Sequence, residues 1–344
     1  MNRLFRVGLT HDFLKPDSTV GIGDTALKLL NSDPDLEWEV IPEKTAELRP
    51  DQISQYDAIL VLGAAVTSTT LRGSNRLTLI ARFGVGYDKI DVNACTAHGV
   101  MLTITPDGVR RPVATSILAF LLALAHKMLI KDKITREGRW NERMNYNGTG
   151  LVGRVLGSIG IGNIGAEMFR LAKPLGMRHI ACDPYTNPDL AREIGVELVD
   201  LDTLLKNADF IAINCPLNQE TYHLINAERL ALMKPTAYLI NTARGPIVDQ
   251  DALTKVLSEG RLQGAALDVF DREPVDIDDP ILQLDNVIVA PHSLAWTDQM
   301  FDGNGRSAAE NILEVAAGRI PQHVVNRDVL NSALLQAKLQ RNRE

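Results

Sequence analysis

The residues whose types and spacing could do chemistry begin with a run of glycines. Residues 153–165 read Gly-Arg-Val-Leu-Gly-Ser-Ile-Gly-Ile-Gly-Asn-Ile-Gly, a short apolar strand entering G-x-G-x-x-G at Gly160, Gly162 and Gly165. In a strand-turn-helix unit the three glycines do different things. Gly160 makes the tight turn, Gly162 lets a pyrophosphate reach the backbone, and Gly165 lets helix and sheet pack closely. Asn163 and Ile164 open the following helix, whose free N–H groups and positive dipole end favour phosphate through the backbone alone. A second apolar run, 178–182, ends at Asp183, 21 residues past Gly162. A carboxylate at that distance accepts from an adenosine ribose 2′-hydroxyl and repels a 2′-phosphate. The pattern predicts NAD rather than NADP.

Three further candidates follow predicted strands. Arg244 lies in Asn-Thr-Ala-Arg-Gly-Pro-Ile-Val-Asp (241–249), where open α/β sheets bind ligands, and a guanidinium there can fork onto a carboxylate. Residues 267–274 carry Asp268 and Glu273 past the next strand, and His292 follows the one after, in Ala-Pro-His-Ser. Singly, Arg244 reads equally well as a solvated ion pair and Glu273 as a cap on the turn before Pro274. Together, downstream of a dinucleotide motif, they read as an acid/base site. The other six histidines fall in no matching motif.

The elements that must position these residues alternate strand and helix. Residues 4–9, 58–62, 77–83 and 100–104 form a first alternation, with a helix at 24–30. The break at Thr105-Pro106-Asp107-Gly108 marks a domain crossing, and Pro112 fits the first position of a long helix reaching about residue 136. A second alternation follows, with strands at 155–159, 178–182, 210–214, 237–241, 264–269 and 287–290, then an amphipathic stretch at 307–318 and a polar tail. The fold class expected is α/β, with two Rossmann-like or flavodoxin-like doubly wound parallel-sheet domains and a cleft between them.

Composition narrows the function classes. At 344 residues two domains are the natural expectation, and a net charge of −7 without a basic run argues against a nucleic-acid surface. Cys95, Cys182 and Cys215 are dispersed, suggesting neither a disulfide framework nor a metal site, and hence a reducing, cytoplasmic location. The N-terminus shows no signal peptide, and the apolar stretch 117–125 is too short to span a bilayer, so it reads as a buried helix.

These motifs resemble the D-isomer-specific 2-hydroxyacid dehydrogenase family over almost the whole chain, from Arg-Phe-Gly-Val-Gly-Tyr-Asp-Lys-Ile-Asp (82–91) through Asn-Cys-Pro-Leu-Asn-Gln-Glu-Thr (214–221) to Val325-Asn326. The resemblance implies that Arg244, Glu273 and His292 are catalytic, with His292 the acid/base, Glu273 tuning it, and Arg244 binding the substrate carboxylate with the backbone of Val85 and Gly86. It implies that Cys215, Pro216, Thr221 and Thr242 line the cofactor and that Asp268 faces the nicotinamide amide. It further implies a substrate domain of 1–106 plus 297–344, an NAD domain of 107–296, a homodimer, and a small 2-keto or 2-hydroxy acid as partner, with no metal, nucleic acid or membrane.

The sequence departs from the family's usual pattern in two places. Ser293-Leu294-Ala295-Trp296 replaces the small residues expected after the histidine, and Arg110-Arg111 precede the long helix. The arginines read either as recognition of an anionic substrate tail or as solvated or ion-paired charges. Two alternatives share the Arg-Glu-His set, an NAD(H)-sensing corepressor-like interaction protein and a phosphite dehydrogenase-like enzyme, and a phosphoglycerate dehydrogenase without the extra regulatory domain many of them carry stays open. A formate dehydrogenase is disfavoured, because glutamate stands where that enzyme has glutamine.

Overall fold

Apolar runs flanked by turns form the strands. The computed structural model describes residues 4–343; residues 1–3, read above for a leader, lie outside it. Among the described residues the strands are β1 (Phe5–Leu9), β2 (Leu36–Val40), β3 (Ala58–Val61), β4 (Leu79–Arg82), β5 (Met101–Thr103), β6 (Val155–Ile159), β7 (Arg178–Cys182), β8 (Glu197–Leu198), β9 (Phe210–Ile213), β10 (Tyr238–Asn241), β11 (Gly264–Leu267) and β12 (Val287–Val289). They build two sheets with every strand pair parallel, in the orders β2-β1-β3-β4-β5 and β12-β11-β10-β9-β6-β7-β8. The chain falls into two units: the described residues up to Val109 with those from Trp296 onward, and Arg110–Ala295.

Each sheet reverses its strand order once, between β1 and β3 and between β6 and β9. Such reversals leave a crevice at the carboxyl ends of the strands. In the larger sheet, alternate β6 residues bury on opposite faces: Val155 and Ile159 pack with Leu204, Leu253 and Phe270, whereas Leu156 packs with Ile117, Leu121, Met168 and Phe169. A buried aspartate ties the start of this sheet, Asp209 accepting from Val155 N–H at 2.8 Å and facing Lys234 at 3.1 Å.

Several elements differ from the sequence reading. The helix placed from Pro112 begins at Pro106, runs to Ala125, and carries Pro112 inside it. Pro106 fits a first turn, where the missing N–H has no partner to lose. Lys127 then adopts a left-handed conformation and a separate helix, Met128–Arg136, follows. Two thirds of the most apolar window of Pro106–Ala125 is buried, as in a core helix. β2 and β8 are the edge strands that went unread: β2 alternates apolar residues with exposed glutamates, and β8 is only two exposed residues long.

The stretch placed at 307–318 is a longer helix, Asp298–Ala316, that includes Gly303 and Gly305. Those glycines serve close packing: a Cβ on Gly305 would lie 1.7 Å from the Ile22 carbonyl oxygen. The polar tail is also a helix, Ala333–Arg343. It buries Leu335, Leu339 and, between them, Lys338, whose ammonium donates to the carbonyls of Leu77 at 2.7 Å and His98 at 2.8 Å.

Candidate active site

The glycine loop lies at the carboxyl end of β6, at the reversal of strand order. Gly160 has φ +94°, and a Cβ there would lie 2.8 Å from the Asn214–Cys215 peptide. Only glycine lets this turn approach the end of β9 so closely. Gly165 is needed in the same way, since its Cβ would meet the Gly160 carbonyl at 2.6 Å. Gly162 is different: its φ is −68°, and nothing lies within 4 Å of where its Cβ would stand. The fold tolerates a side chain there, so the open space above Gly162 fits an approaching pyrophosphate.

Asn163 and Ile164 form the first turn of the helix Asn163–Ala172. Asp183 accepts from Ile161 N–H and Tyr185 N–H, each at 2.9 Å, which brings its carboxylate to the glycine loop. Cys215 and Pro216 adjoin that loop through the Gly160 contact, and burial pushes the Cys215 thiol up to about 11, so it is held as a neutral thiol. Thr221 folds back on the same segment, accepting from Asn218 N–H at 2.8 Å and donating to the Pro216 carbonyl at 2.6 Å.

The second group stands at the carboxyl ends of β10, β11 and β12. After β10, buried Asn241 staples the turn, accepting from Ala243 N–H at 3.0 Å and donating to the Arg244 carbonyl at 2.9 Å. Thr242 is held in this staple. Arg244 donates to the Ala243 carbonyl at 2.7 Å. The next residue must be glycine, because a Cβ on Gly245 would lie 1.8 Å from the Phe270 carbonyl oxygen. That close crossing joins the Arg244 turn to the segment bearing Glu273.

Glu273 and His292 meet directly, with His292 Nδ1 2.8 Å from Glu273 Oε2. A carboxylate only accepts, so Nδ1 carries the hydrogen and Nε2 is left for exchange with a ligand. The other Glu273 oxygen accepts from Phe270 N–H at 3.2 Å. Burial raises the Glu273 carboxyl, but the hydrogen bond and charge of His292, the Phe270 N–H and the Arg244 charge outweigh it and hold the group below its usual range.

His292 itself has φ +54°, a region non-glycine residues seldom adopt. Asp268 explains how the turn is held: its carboxylate accepts from Ser293 N–H at 2.9 Å and Leu294 N–H at 3.2 Å. Burial pushes the Asp268 carboxyl up against the pull of those two amides. This clamp on the histidine turn was not read from the sequence, where an aspartate after a strand carries no sign of its partners.

Val85 and Gly86 belong to the other unit, on the loop after β4. Arg82 donates to the Gly86 carbonyl at 2.7 Å and also to the Phe83 carbonyl. Thr105 accepts from Gly84 N–H at 2.8 Å and donates to Asn304 at 2.9 Å, both side chains being 1% exposed. Thr105 and Asn304 therefore fix a loop that the sequence reading named without its supports. Of the two departing arginines, Arg111 pairs with Glu167 at 3.0 Å, the ion-pair alternative. Trp296 lies edge-on to Phe301 with centroids 5.5 Å apart. Among the described residues no group of three or more His, Cys, Asp or Glu side chains is arranged to hold a metal ion.

A doubly wound sheet with a glycine loop at its reversal, an acid on that loop, and charged residues at the next strand ends defines a dinucleotide-dependent α/β protein. Residues 118–293 match the family described as "D-isomer specific 2-hydroxyacid dehydrogenase, NAD binding domain". The chain is 38% identical over 318 residues to a glyoxylate reductase of Thermococcus onnurineus, covering 90% of this chain and 95% of that protein. It is 39% identical over 292 residues to a D-3-phosphoglycerate dehydrogenase of Methanocaldococcus jannaschii, covering 84% of this chain but 55% of that protein. Among solved structures, D-lactate dehydrogenase from Aquifex aeolicus with NAD and lactic acid superposes with TM-score 0.79 at 30% identity, covering 91% of this chain and 96% of that one. The chain belongs to the D-isomer specific 2-hydroxyacid dehydrogenase family and is an NAD-dependent oxidoreductase.

Proposed function

We propose that this protein interconverts a D-2-hydroxy acid and its 2-keto acid, with Arg110–Ala295 as the NAD domain and the other unit carrying the substrate loop. The observation that carries this reading is the His292–Glu273 hydrogen bond of 2.8 Å at the carboxyl end of β12. Gly160, Gly162, Asn163, Ile164 and Gly165 would hold the pyrophosphate, Asp183 the adenosine ribose, Cys215, Pro216 and Thr221 the adenine side, and Thr242 and Asp268 the nicotinamide side. When bound, NADH supplies the hydride.

The chain's own residues supply the rest. Arg244 forks onto the substrate carboxylate, which the N–H groups of Val85 and Gly86 also bind. His292, held through Nδ1, gives a proton from Nε2 to the carbonyl oxygen in reduction and takes it back from the hydroxyl in oxidation. Glu273 orients the ring and offsets the charge of the protonated imidazole. Holding the carboxylate and the proton donor in fixed places relative to one cofactor face would give a single enantiomer, and family membership supports the D form.

The same reading includes a homodimer, supported by exposed Met128, Leu129, Trp140 and Met144 on adjoining helical segments. The three free thiols support a reducing, cytoplasmic setting. Chiral chromatography of the product formed from NADH and a 2-keto acid tests the function. The D-hydroxy acid is expected, and Arg244→Lys should raise KM for the keto acid at least tenfold, because lysine cannot fork. An L or racemic product, or an unchanged KM, would overturn the assignment.

A further inference from the structure

We infer that the side chain of the keto acid is bulky and apolar, of the size of an aromatic ring, and is seated against Trp296 and Phe301. The inference rests on the proposed role of Val85 and Gly86 as carboxylate donors.

Four aromatic rings run in an unbroken series through the unit that carries this loop. Phe13 stands edge-on to Phe83 at 5.1 Å, Phe83 is tilted on Phe301 at 5.7 Å, and Phe301 meets Trp296 edge-on at 5.5 Å. The series is graded in exposure: Phe13 and Phe83 are 2% exposed, Phe301 is partly buried, and Trp296 is 51% exposed. Phe83 is also the residue that leads into Gly84–Gly86, the loop pinned by Thr105 and Arg82. Through Phe83, the rings of Phe301 and Trp296 are thus linked to the loop whose Val85 and Gly86 amides are proposed to hold the substrate carboxylate.

The indole meets Phe301 edge-on and is about half exposed, which leaves apolar ring surface for an apolar partner. Glyoxylate has no side chain to cover it. Within this unit the arginine next to the loop is turned inward, Arg82 donating to the carbonyls of Phe83 and Gly86.

The test is kcat/KM at saturating NADH for glyoxylate, pyruvate, 4-methyl-2-oxopentanoate and phenylpyruvate, with the native protein, Trp296→Ala and Trp296→Phe. The native protein should prefer phenylpyruvate over glyoxylate by more than tenfold. Trp296→Ala should lower that ratio by roughly ten- to a hundredfold, mainly through KM, and Trp296→Phe should retain most of it. Melting temperature and NADH affinity of both variants are measured alongside, and should match the native protein. Turnover that favours glyoxylate or pyruvate, or a ratio within twofold of native in Trp296→Ala, overturns the inference and leaves the dehydrogenase reading standing. No turnover of any keto acid by the native protein overturns both.

Discussion

Gly162 and its neighbours separate what the fold needs from what the cofactor needs. Gly162→Ala places a methyl group where the protein has no atom within 4 Å, at a φ of −68° that alanine adopts without strain. Stability should therefore change by less than ~0.5 kcal/mol, because the roughly 0.5–1 kcal/mol lost when alanine replaces a glycine cap is offset by about 0.4–1 kcal/mol from the reduced freedom of the unfolded chain. Binding should respond differently. A methyl group in the path of the pyrophosphate pushes it off the backbone amides, and each charge-assisted hydrogen bond lost is worth about 1.5–3 kcal/mol. At about 1.4 kcal/mol per tenfold, the NADH Kd should rise roughly 10- to 150-fold. Gly165→Ala is the contrast, because its Cβ would lie 2.6 Å from the Gly160 carbonyl, so it should lower the melting temperature itself. Fluorescence titration of NADH together with thermal melting reads both effects. An NADH Kd within twofold of native for Gly162→Ala would refute the placement of the pyrophosphate.

Three other perturbations have worked outcomes. Against its burial, the hydrogen bond and charge of His292 hold Glu273 below the usual carboxylate range, so Glu273 faces the imidazole as a carboxylate at neutral pH. Glu273→Gln keeps an acceptor but removes that charge. With both side chains partly exposed, at 45% and 31%, the screened interaction is worth ~1 kcal/mol, so the alkaline limb of keto-acid reduction should move down by roughly 0.5–1 pH unit; an unmoved limb in the kcat/KM profile would count against the pairing. Thr105→Val leaves Gly84 N–H without its acceptor, and should raise KM for the keto acid about tenfold with NADH affinity unchanged, while Thr105→Ser restores it. Equal KM values for the valine and native proteins would show that the loop needs no such support. Lys338→Met strands the buried carbonyls of Leu77 and His98 and should cost about 1–3 kcal/mol in urea unfolding; a loss below ~0.5 kcal/mol would mean that water replaces the ammonium.

How much was legible follows from how local each interaction is. Gly160, Gly162 and Gly165 could be read because strand, turn and helix are consecutive, and Asp183 because it ends the very next strand. Arg244, Glu273 and His292 could be read as a set because a parallel sheet puts successive strand ends on one edge, which is where the structure brings Glu273 and His292 into contact. What escaped depends on partners far along the chain. Thr105 and Asn304 are 199 residues apart and neither type announces the other. The helix Asp298–Ala316 was read only from 307, and the Ile22 carbonyl that requires glycine at 305 is invisible in sequence. Helix Ala333–Arg343 was read as a tail because Lys338, the residue that anchors it, is of the type most often solvated. β2 alternates apolar with acidic residues, Leu36-Glu37-Trp38-Glu39-Val40, as a half-exposed edge strand does, and so lacks the continuous apolar run by which the inner strands were read.

Proton transfer from His292 to a keto acid reduced by NADH is the step on which everything else depends. It is tested most directly by following NADH absorbance with a panel of 2-keto acids, comparing the native protein with His292→Ala, each shown by titration to bind NADH. The native protein should turn over, and His292→Ala should lose about 10²–10⁴-fold in kcat with NADH affinity intact. Turnover at the native rate in His292→Ala, or no turnover by a native protein that binds NADH, would contradict that step.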